Sequence, residues 1–420
     1  MEKIVVIGGG FAGLNLCKHL DSSKYEICLV DRNNFNSFPP LFYQVASSGL
    51  TSSNICFPFR RELKKLRHIS YHMGHVKQID TATRTVTTSY ETMHYDKLVL
   101  AAGSTNNYFN MEHLREETFG IKTVAEAMHT RDEILDRLER GALCKDKERR
   151  RQLLSFLVVG GGPSGVEIAG ALGEMKKYIL SKEYPELEPD DVKITLIEGT
   201  RTLLGPMRPK SQQYALEALG KLLVNVRLNT MMTGYNDKEV TFADGHKEYF
   251  ETLIWTAGVM GEPVPGLPAS CVGHGNRILV DEYNRVKGLD DVFAIGDIAL
   301  MQTDATPKGH PQMAQPAIQM ARNLARNLNA GTFGTPFVYH DKGSMATIGK
   351  NKAVADLKHF SFNGFFAWIV WMFVHLMSLL GMRNKLSVLT NWAWNYVFYS
   401  TSLRLLLRPT KYPLRRHWGE

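Results

Sequence analysis

Cysteine is scarce in this 420-residue chain: Cys17, Cys28, Cys56, Cys144 and Cys271 are scattered, with no CxxC and no zinc-ligand spacing. That pattern excludes a disulfide framework and predicts no metal site; it fits a chain kept in a reducing compartment. Excess charge is also lacking over most of the length. Of the net +8, the stretch Ser361–Glu420 carries +6, from Arg383, Lys385, Arg404, Arg408, Lys411, Arg415 and Arg416 against the single acid Glu420. The body is therefore nearly neutral. Tryptophan is equally sparse there, because five of the six lie in those last sixty residues. Basic residues interleaved with Trp and Tyr suit a membrane interface, where anionic headgroups attract the charge and amphipathic rings sit at headgroup depth. Nucleic acid is the rival partner for a basic tail, but the aliphatic surface beside the charge argues against it. No secretory signal is expected, since Met1–Gly10 already runs as a strand into a glycine turn.

What is present is the composition of a folded globular chain, 44% hydrophobic and 22% charged, long enough for two or three domains. Ile4–Ile7 is a short β-branched run that meets Gly8, Gly9 and Gly10; a helical pattern follows over Phe11–Leu20, then a strand over Glu26–Val30 ending at Asp31. The same order returns about 150 residues later. Phe156–Val159 leads into Gly160–Gly162, a helix is predicted over Val166–Leu180, and a strand over Lys193–Ile197 ends at Glu198. Ser181–Val192, with Pro185 and Pro189, reads as an inserted loop. Between the copies lie an extended stretch (His75–Val86), a strand (Leu98–Ala101) and a basic helical segment (Thr123–Arg151).

Each copy carries a glycine triplet with a physical rationale. In Gly8-x-Gly10-x-x-Gly13 the first glycine allows the tight turn. The second lets a pyrophosphate approach the backbone at a helix N-terminus, and the third lets helix pack on strand. Asp31 would accept hydrogen bonds from a ribose hydroxyl. Gly160-x-Gly162-x-x-Gly165 with Glu198 repeats the set. A carboxylate there suits the free 2′-hydroxyl of NADH and repels the 2′-phosphate of NADPH, although Arg201 lies close by. A lone triplet is often only a turn; here strand, turn, helix, strand and acid fall in order twice. Two such sites imply one retained and one exchanging nucleotide, assigned as FAD at the first and NADH at the second.

Further segments make the chain resemble the two-dinucleotide-binding flavoproteins, and among them the type II NADH:quinone oxidoreductases. They are IVVIGGGFAGL at the start, PPLFYQVA (Pro39–Ala46), LVLAAGS (Leu98–Ser104), VVGGGPSGVEIAG (Val158–Gly170), WTAGV (Trp255–Val259), VFAIGDIA (Val292–Ala299) and AQPAIQMA (Ala314–Ala321). The implied fold is α/β: two Rossmann-like domains and a C-terminal amphipathic helical region that anchors to membrane. FAD binding is expected over 1–112 and 258–335, NADH binding over 113–257, and the anchoring region over 336–420. The resemblance implies that Gly8, Gly9, Gly10, Phe11, Ala12, Gly13, Asp31, Arg32 and Val76 hold the adenine half of FAD. Gln44, Ala102 and Gly103 are further cofactor-binding residues, and Asp297 meets the ribityl chain. Ala314 and Gln315 lie against the isoalloxazine, and Ala257 and Gly258 join the NADH site. Glu167 is implied to position nucleotide or relay protons, and Gln315 and Gln319 to hydrogen-bond a quinone carbonyl. Taken alone, Glu167 and Gln319 read equally well as exposed helix surface. Asp31 stands where many relatives have Glu, which keeps the carboxylate.

The implied activity is hydride transfer from NADH to FAD and electron transfer to a membrane quinone, without proton pumping, at the cytoplasmic face of the inner membrane. Kinship also implies a homodimer through the tail. Disulfide reductases and sulfide:quinone oxidoreductases need a cysteine pair near the flavin, which this chain does not offer; sulfide chemistry is the runner-up. A non-turnover redox sensor and a soluble reductase of iron–sulfur carriers are further rivals. The sensor would bind NADH without fast turnover, and the soluble reductase leaves the tail unexplained. In that tail, Phe365–Met382 is eighteen residues without Lys, Arg, Asp or Glu, at the lower limit for a spanning helix. Both a span and a surface-lying helix fit it; the monotopic habit of relatives favours the second. Trp392, Tyr396, Tyr399, Leu403 and Leu406 recur at helical spacing, with Asn391, Asn395 and Ser402 on another face. An amphipathic helix is expected there, with Arg404 and Arg408 reaching headgroups.

Overall fold

The computed structural model describes residues 1–64, 66–304, 306–398 and 403–406. Strand β1 (Glu2–Ile7) is buried from Ile4 onward, as a β-branched run in a parallel sheet covered on both faces should be. It leads into helix α1 (Phe11–His19), then strands β2 (Tyr25–Asp31), β3 (Ile69–Met73) and β4 (Lys97–Leu100), with a short helix α2 (Phe42–Ala46) in the β2–β3 connection. The chain then leaves this sheet and builds a second one from β5 (Phe119–Gly120), β6 (Ser155–Val159), β7 (Lys193–Ile197), β8 (Asn225–Arg227) and β9 (Thr252–Trp255). Helix α3 (Pro163–Glu174) follows β6. Afterwards the chain returns to the first sheet with β10 (Val292–Ala294), followed by helix α4 (Ala314–Ala330).

The two sheets share one plan. Their orders are β10-β4-β1-β2-β3 and β5-β9-β6-β7-β8, and every neighbour pair is parallel. In each, strand order reverses beside the strand that carries the glycine turn, which is where open α/β sheets bind ligands. The copies differ in the source of the fifth strand. The first sheet takes it from after the inserted unit, the second from before its own glycine turn.

A three-stranded antiparallel sheet follows, β11 (Ser344–Gly349), β12 (Lys352–Asp356) and β13 (Ser361–Asn363), and then helices α5 (Phe365–Ser378) and α6 (Met382–Phe398). The largest hydrophobic cluster joins these pieces. Val166, Ile168 and Leu172 of α3, Ala346 and Ile348 of β11, and Trp371 of α5 belong to the same core.

Three local expectations change. The predicted basic helix Thr123–Arg151 is two helices, Val124–Leu143 and Lys147–Leu153. The predicted helix Val166–Leu180 begins at Pro163, widens into a π-helical turn over Met175–Ile179, and resumes over Leu180–Glu183. The uncharged run Phe365–Met382 is not one helix. Fourteen residues form α5, Gly381 turns with φ +74°, and α6 starts at Met382. At ~1.5 Å per residue α5 is roughly 21 Å long, short of the ~30 Å of a bilayer core. Among the described residues no helix is long and apolar enough to cross a membrane.

Candidate active site

The two glycine turns repeat the same set of contacts. Gly8 has φ +98° and Gly160 φ +108°, in the left-handed region that favours glycine. A Cβ on Gly13 would stand 1.8 Å from the Gly8 carbonyl oxygen, and one on Gly165 would stand 1.8 Å from that of Gly160. Gly10 and Gly162 instead face open space, with no heavy atom within 4 Å of a built Cβ. Each begins its helix without a side-chain cap, leaving the first-turn N–H groups to a ligand. Asp31 accepts the Gly9 N–H at 2.7 Å and the Asn33 N–H at 2.8 Å; Glu198 accepts the Gly161 N–H at 2.6 Å and the Thr200 N–H at 2.8 Å. Burial raises the Asp31 carboxyl above its ordinary range, and those two N–H bonds oppose the rise.

The repeat extends to the strand beside each turn. Ala101 and Ala102 crowd Gly8 as Thr256 and Ala257 crowd Gly160. Gly258 accepts the Asn107 N–H at 3.0 Å, and the Thr256 hydroxyl donates to the Val159 carbonyl at 2.7 Å, which locks the second turn.

The first cleft gathers Gly8, Gly9, Gly10, Asp31, Arg32, Val76, Ala102 and Gly103. Arg32 pairs with Glu262 across it at 3.1 Å. Phe11 points away and meets Phe38 edge-on at 5.7 Å. Ala12 lies under Gly296, whose φ of +78° turns the chain so that Asp297 follows. The Ser104 hydroxyl donates to Asp297 at 2.6 Å, beside the end of β4. A pyrophosphate-sized gap, a carboxylate at the β2 end and a carboxylate past β10 together fit a dinucleotide. Gln44 is not part of this cleft: it bonds Tyr43 and Trp392, at 2.7 and 2.8 Å, in the cavity described next.

That cavity lies between α2, α3, the β11–β12 hairpin and the C-terminal helices, walled by Tyr43, Glu167, Trp368, Trp371 and Trp392. Helix α3 reaches the hairpin closely because position 170 is glycine; a Cβ there would sit 1.9 Å from the Ile348 carbonyl oxygen. This seats Glu167 inside, only 9% exposed, so the exposed-surface reading of that residue fails. Burial pushes its carboxyl up to about 8, with the Thr347 backbone N–H pulling the other way. Desolvation penalises the charged form, and among the described residues no cation lowers it.

Gln315 and Gln319, one turn apart on α4, spend their amides on backbone. Gln315 donates to Gly343 at 2.9 Å and accepts from Lys342 at 3.1 Å; Gln319 donates to His340 at 2.9 Å and accepts from its N–H at 3.0 Å. They clamp the segment 340–343 that leads into β11. Ala314 begins α4.

The tail faces the other way from expectation. Trp392 lines the cavity and Tyr396 borders it while staying 40% exposed, and Asn395 bonds the Gly49 carbonyl at 3.4 Å, so the stripe and its polar neighbour are both partly engaged by the protein. Arg404 pairs with Glu183 in the same cavity and does not reach outward. Outside lie Phe366 and Phe373 of α5, each 64% exposed, with Leu386, Leu389, Val397 and Phe398 of α6. Periodicity correctly finds two faces on such a helix but does not say which is buried. Tyr399, Ser402 and Arg408 fall outside the described residues.

Residues 2–321 match the family model described as pyridine nucleotide-disulphide oxidoreductase, and 341–399 match the NDH2 C-terminal domain. The type II NADH:quinone oxidoreductase Ndh of Mycobacterium tuberculosis is 34% identical over 419 residues, spanning 94% of this chain and 88% of its own. This chain belongs to the type II NADH:quinone oxidoreductase family. A member from Arabidopsis thaliana mitochondria, an internal alternative NAD(P)H-ubiquinone oxidoreductase, is 30% identical over 94% of this chain and 84% of its own. The fold matches that of NDH2 from Plasmodium falciparum, solved with NADH, at a TM-score of 0.88 and 21% identity, covering 97% of this chain and all of that one. A sulfide:quinone oxidoreductase from Aquifex aeolicus matches at 0.73 and 18%, covering 97% and 96%. In contrast to the disulphide chemistry in the family's description, all five cysteines of this type II family member are free, and none lines either the first cleft or the cavity.

Sequence reasoning missed Tyr43, Trp371 and Glu174 as cavity residues. For Glu174 a signal existed. It stands seven residues after Glu167, two helical turns along the same face.

Proposed function

We propose that this chain is a non-pumping NADH:quinone oxidoreductase, with FAD in the first cleft, NADH at the second glycine turn and the quinone head in the cavity at Glu167. The observation that carries it is a pair of dinucleotide cradles on sheets of one plan, beside a cavity that holds a buried carboxyl and is walled by the C-terminal helices. When bound, FAD accepts hydride from NADH and passes two electrons to the quinone.

The chain's own residues bind, orient and supply protons. Gly8–Gly13, Asp31, Arg32, Val76, Ala102 and Gly103 hold FAD, with Asp297 at its ribityl chain and the start of α4 (Ala314, Gln315) at its ring. Gly160, Gly162, Gly165, Ala257 and Gly258 hold NADH, and Glu198 takes the ribose hydroxyls. Glu167, held protonated at neutral pH by its burial, donates toward a quinone oxygen. Gln315 does not line that cavity; its amide nitrogen carries two N–H bonds, of which the Gly343 carbonyl uses one, and we assign the other to the flavin or quinone side. Gln319, engaged at both ends by His340, supports the segment that Gln315 also clamps. We assign residues 1–112 and 258–335 to the FAD domain, 113–257 to the NADH domain and 336–420 to the anchoring region.

The outward apolar face of α5 and α6 lies in the lipid surface, with basic residues of the tail favouring the cytoplasmic face of the inner membrane. Contact with lipid lets a quinone head enter the cavity with its tail still in the bilayer. A second copy on the same face would make a homodimer, and detergent-free sizing separates the two. The reading is tested by anaerobic addition of NADH to the purified yellow protein. Flavin bleaching followed by quinone-driven reoxidation is expected. A colourless protein, or turnover with sulfide and not NADH, overturns it.

A further inference from the structure

Electron balance leaves one proton to be found. Reducing a quinone to a quinol takes two electrons and two protons; NADH brings two electrons and one hydrogen nucleus, so one further proton comes from water. Glu167 is buried, and each turnover that uses its proton leaves a carboxylate that bulk water does not reach directly.

The same cavity holds a second carboxyl. Glu167 and Glu174 are the acids among the described residues that line it, and Ala171 lines it between them. Seven residues at ~1.5 Å put the two about 10 Å apart along α3, a gap for roughly two or three waters at ~2.8 Å per hydrogen bond. Both carboxyls face backbone N–H groups of one hairpin, Thr347 for Glu167 and Lys350 for Glu174, the latter at 2.6 Å. Their exposure differs in the sense a relay needs: Glu174 is half-buried and Glu167 buried.

The other polar groups around Glu174 do not serve. The Tyr43 phenol of α2 is buried and held well above its ordinary range. Arg404 is bound to Glu183, and the Lys350 ammonium donates to the Tyr396 carbonyl at 2.5 Å and lies over the Tyr396 ring at 4.2 Å. The Lys352 ammonium donates to the Lys350 carbonyl at 3.5 Å.

We propose that Glu174 is the proton-entry residue of this enzyme, taking protons from solvent at the cavity mouth and handing them along the α3 wall to Glu167. The proposal rests on the quinone reading of the cavity. In each cycle Glu167 gives its proton to the reduced quinone, the Glu174 carboxyl reprotonates Glu167 through bridging water, and solvent reprotonates Glu174. Burial raises the Glu174 carboxyl, with Lys350 and Lys352 opposing, so it is a proton carrier nearer to neutral pH than an exposed glutamate.

The test is Glu174→Gln in the full-length, flavin-loaded protein, because glutamine still accepts the Lys350 N–H and loses only the titrating proton. NADH-driven flavin bleaching should stay within about twofold of wild type. Quinone turnover at pH 8 should fall by at least about tenfold, the deficit should shrink toward pH 6, and Glu174→Asp should recover part of it. An unchanged pH profile, or a loss of bleaching equal to the loss of turnover, overturns the proposal. If Glu174→Gln does not retain flavin, Glu174→Ala with added formate decides: restored alkaline turnover supports the relay, and no restoration overturns it. Wild-type protein that bleaches with NADH but reduces no quinone brings down the cavity reading itself, whereas wild-type turnover with an unaltered Glu174→Gln profile counts against Glu174 alone.

Discussion

Replacing Glu167 with glutamine should change how the stability of the protein depends on pH, independently of any substrate. The carboxyl sits at about 8 in the folded state against an ordinary 4.5. Between those values the folded protein binds a proton that the unfolded chain does not. Stability contributed by the protonated carboxyl is therefore fully present below pH 4.5, falls as pH rises, and is lost above pH 8. The limiting slope is 1.36 kcal/mol per unit; with the group half titrated at pH 8, the change from pH 6 to 8 amounts to about 2.3 kcal/mol. With ~2.1 cal/mol/K of unfolding entropy per residue over the whole chain, that corresponds to about 3 °C in Tm. Glutamine has no such charge to bury and still faces the Thr347 N–H. Thermal unfolding followed by flavin fluorescence, at one scan rate for both proteins, should show wild type losing about 3 °C more than Glu167→Gln between pH 6 and 8. Parallel curves would refute the claim that the cavity holds this carboxyl protonated.

The glycine cradles should separate genetically. Gly13→Ala drives its Cβ into the Gly8 carbonyl and should yield protein without flavin absorbance, whereas Gly165→Ala does the same at Gly160 and should stay yellow but resist bleaching by NADH. Glu198→Gln removes the charge that repels a 2′-phosphate while keeping an acceptor for the Gly161 N–H, so the ratio of kcat/KM for NADPH over NADH should rise at least about tenfold; an unchanged ratio places the ribose elsewhere. Phe366→Glu with Phe373→Glu, both on the outward face, should abolish cosedimentation with anionic vesicles and leave NADH-driven flavin bleaching intact. Persistent cosedimentation would assign that face to another partner.

The parts legible in the sequence were those whose chemistry is local. Each glycine triplet, its flanking strands and its carboxylate lie within a few dozen residues, and the structure keeps them with strand ends shifted by a residue or two. Side chains whose role depends on distant packing were harder. Gln44, expected among the cofactor-binding residues, lies outside the first cleft, and its bond to Trp392 spans 348 positions of the chain. Glu167 stood in a recognisable motif, yet its burial depends on Gly170 admitting the β11–β12 hairpin from the far end of the sequence. The tail's aromatic stripe was read as facing lipid because Trp and Tyr suit headgroup depth; here Trp392 finds its partner in Gln44 and Tyr396 stacks on Trp368 at 5.6 Å instead.

The nested course of the chain sets a schedule for biosynthesis. The inner sheet closes at β9, whereas the outer one waits for β10, and Asp297 emerges only after that. Because synthesis runs from the N-terminus, the second glycine turn's sheet is complete while the first glycine turn's sheet still lacks an edge. On the proposed assignment flavin capture is a late event, and a chain ending before Val292 would keep the inner sheet but lack an edge of the outer one.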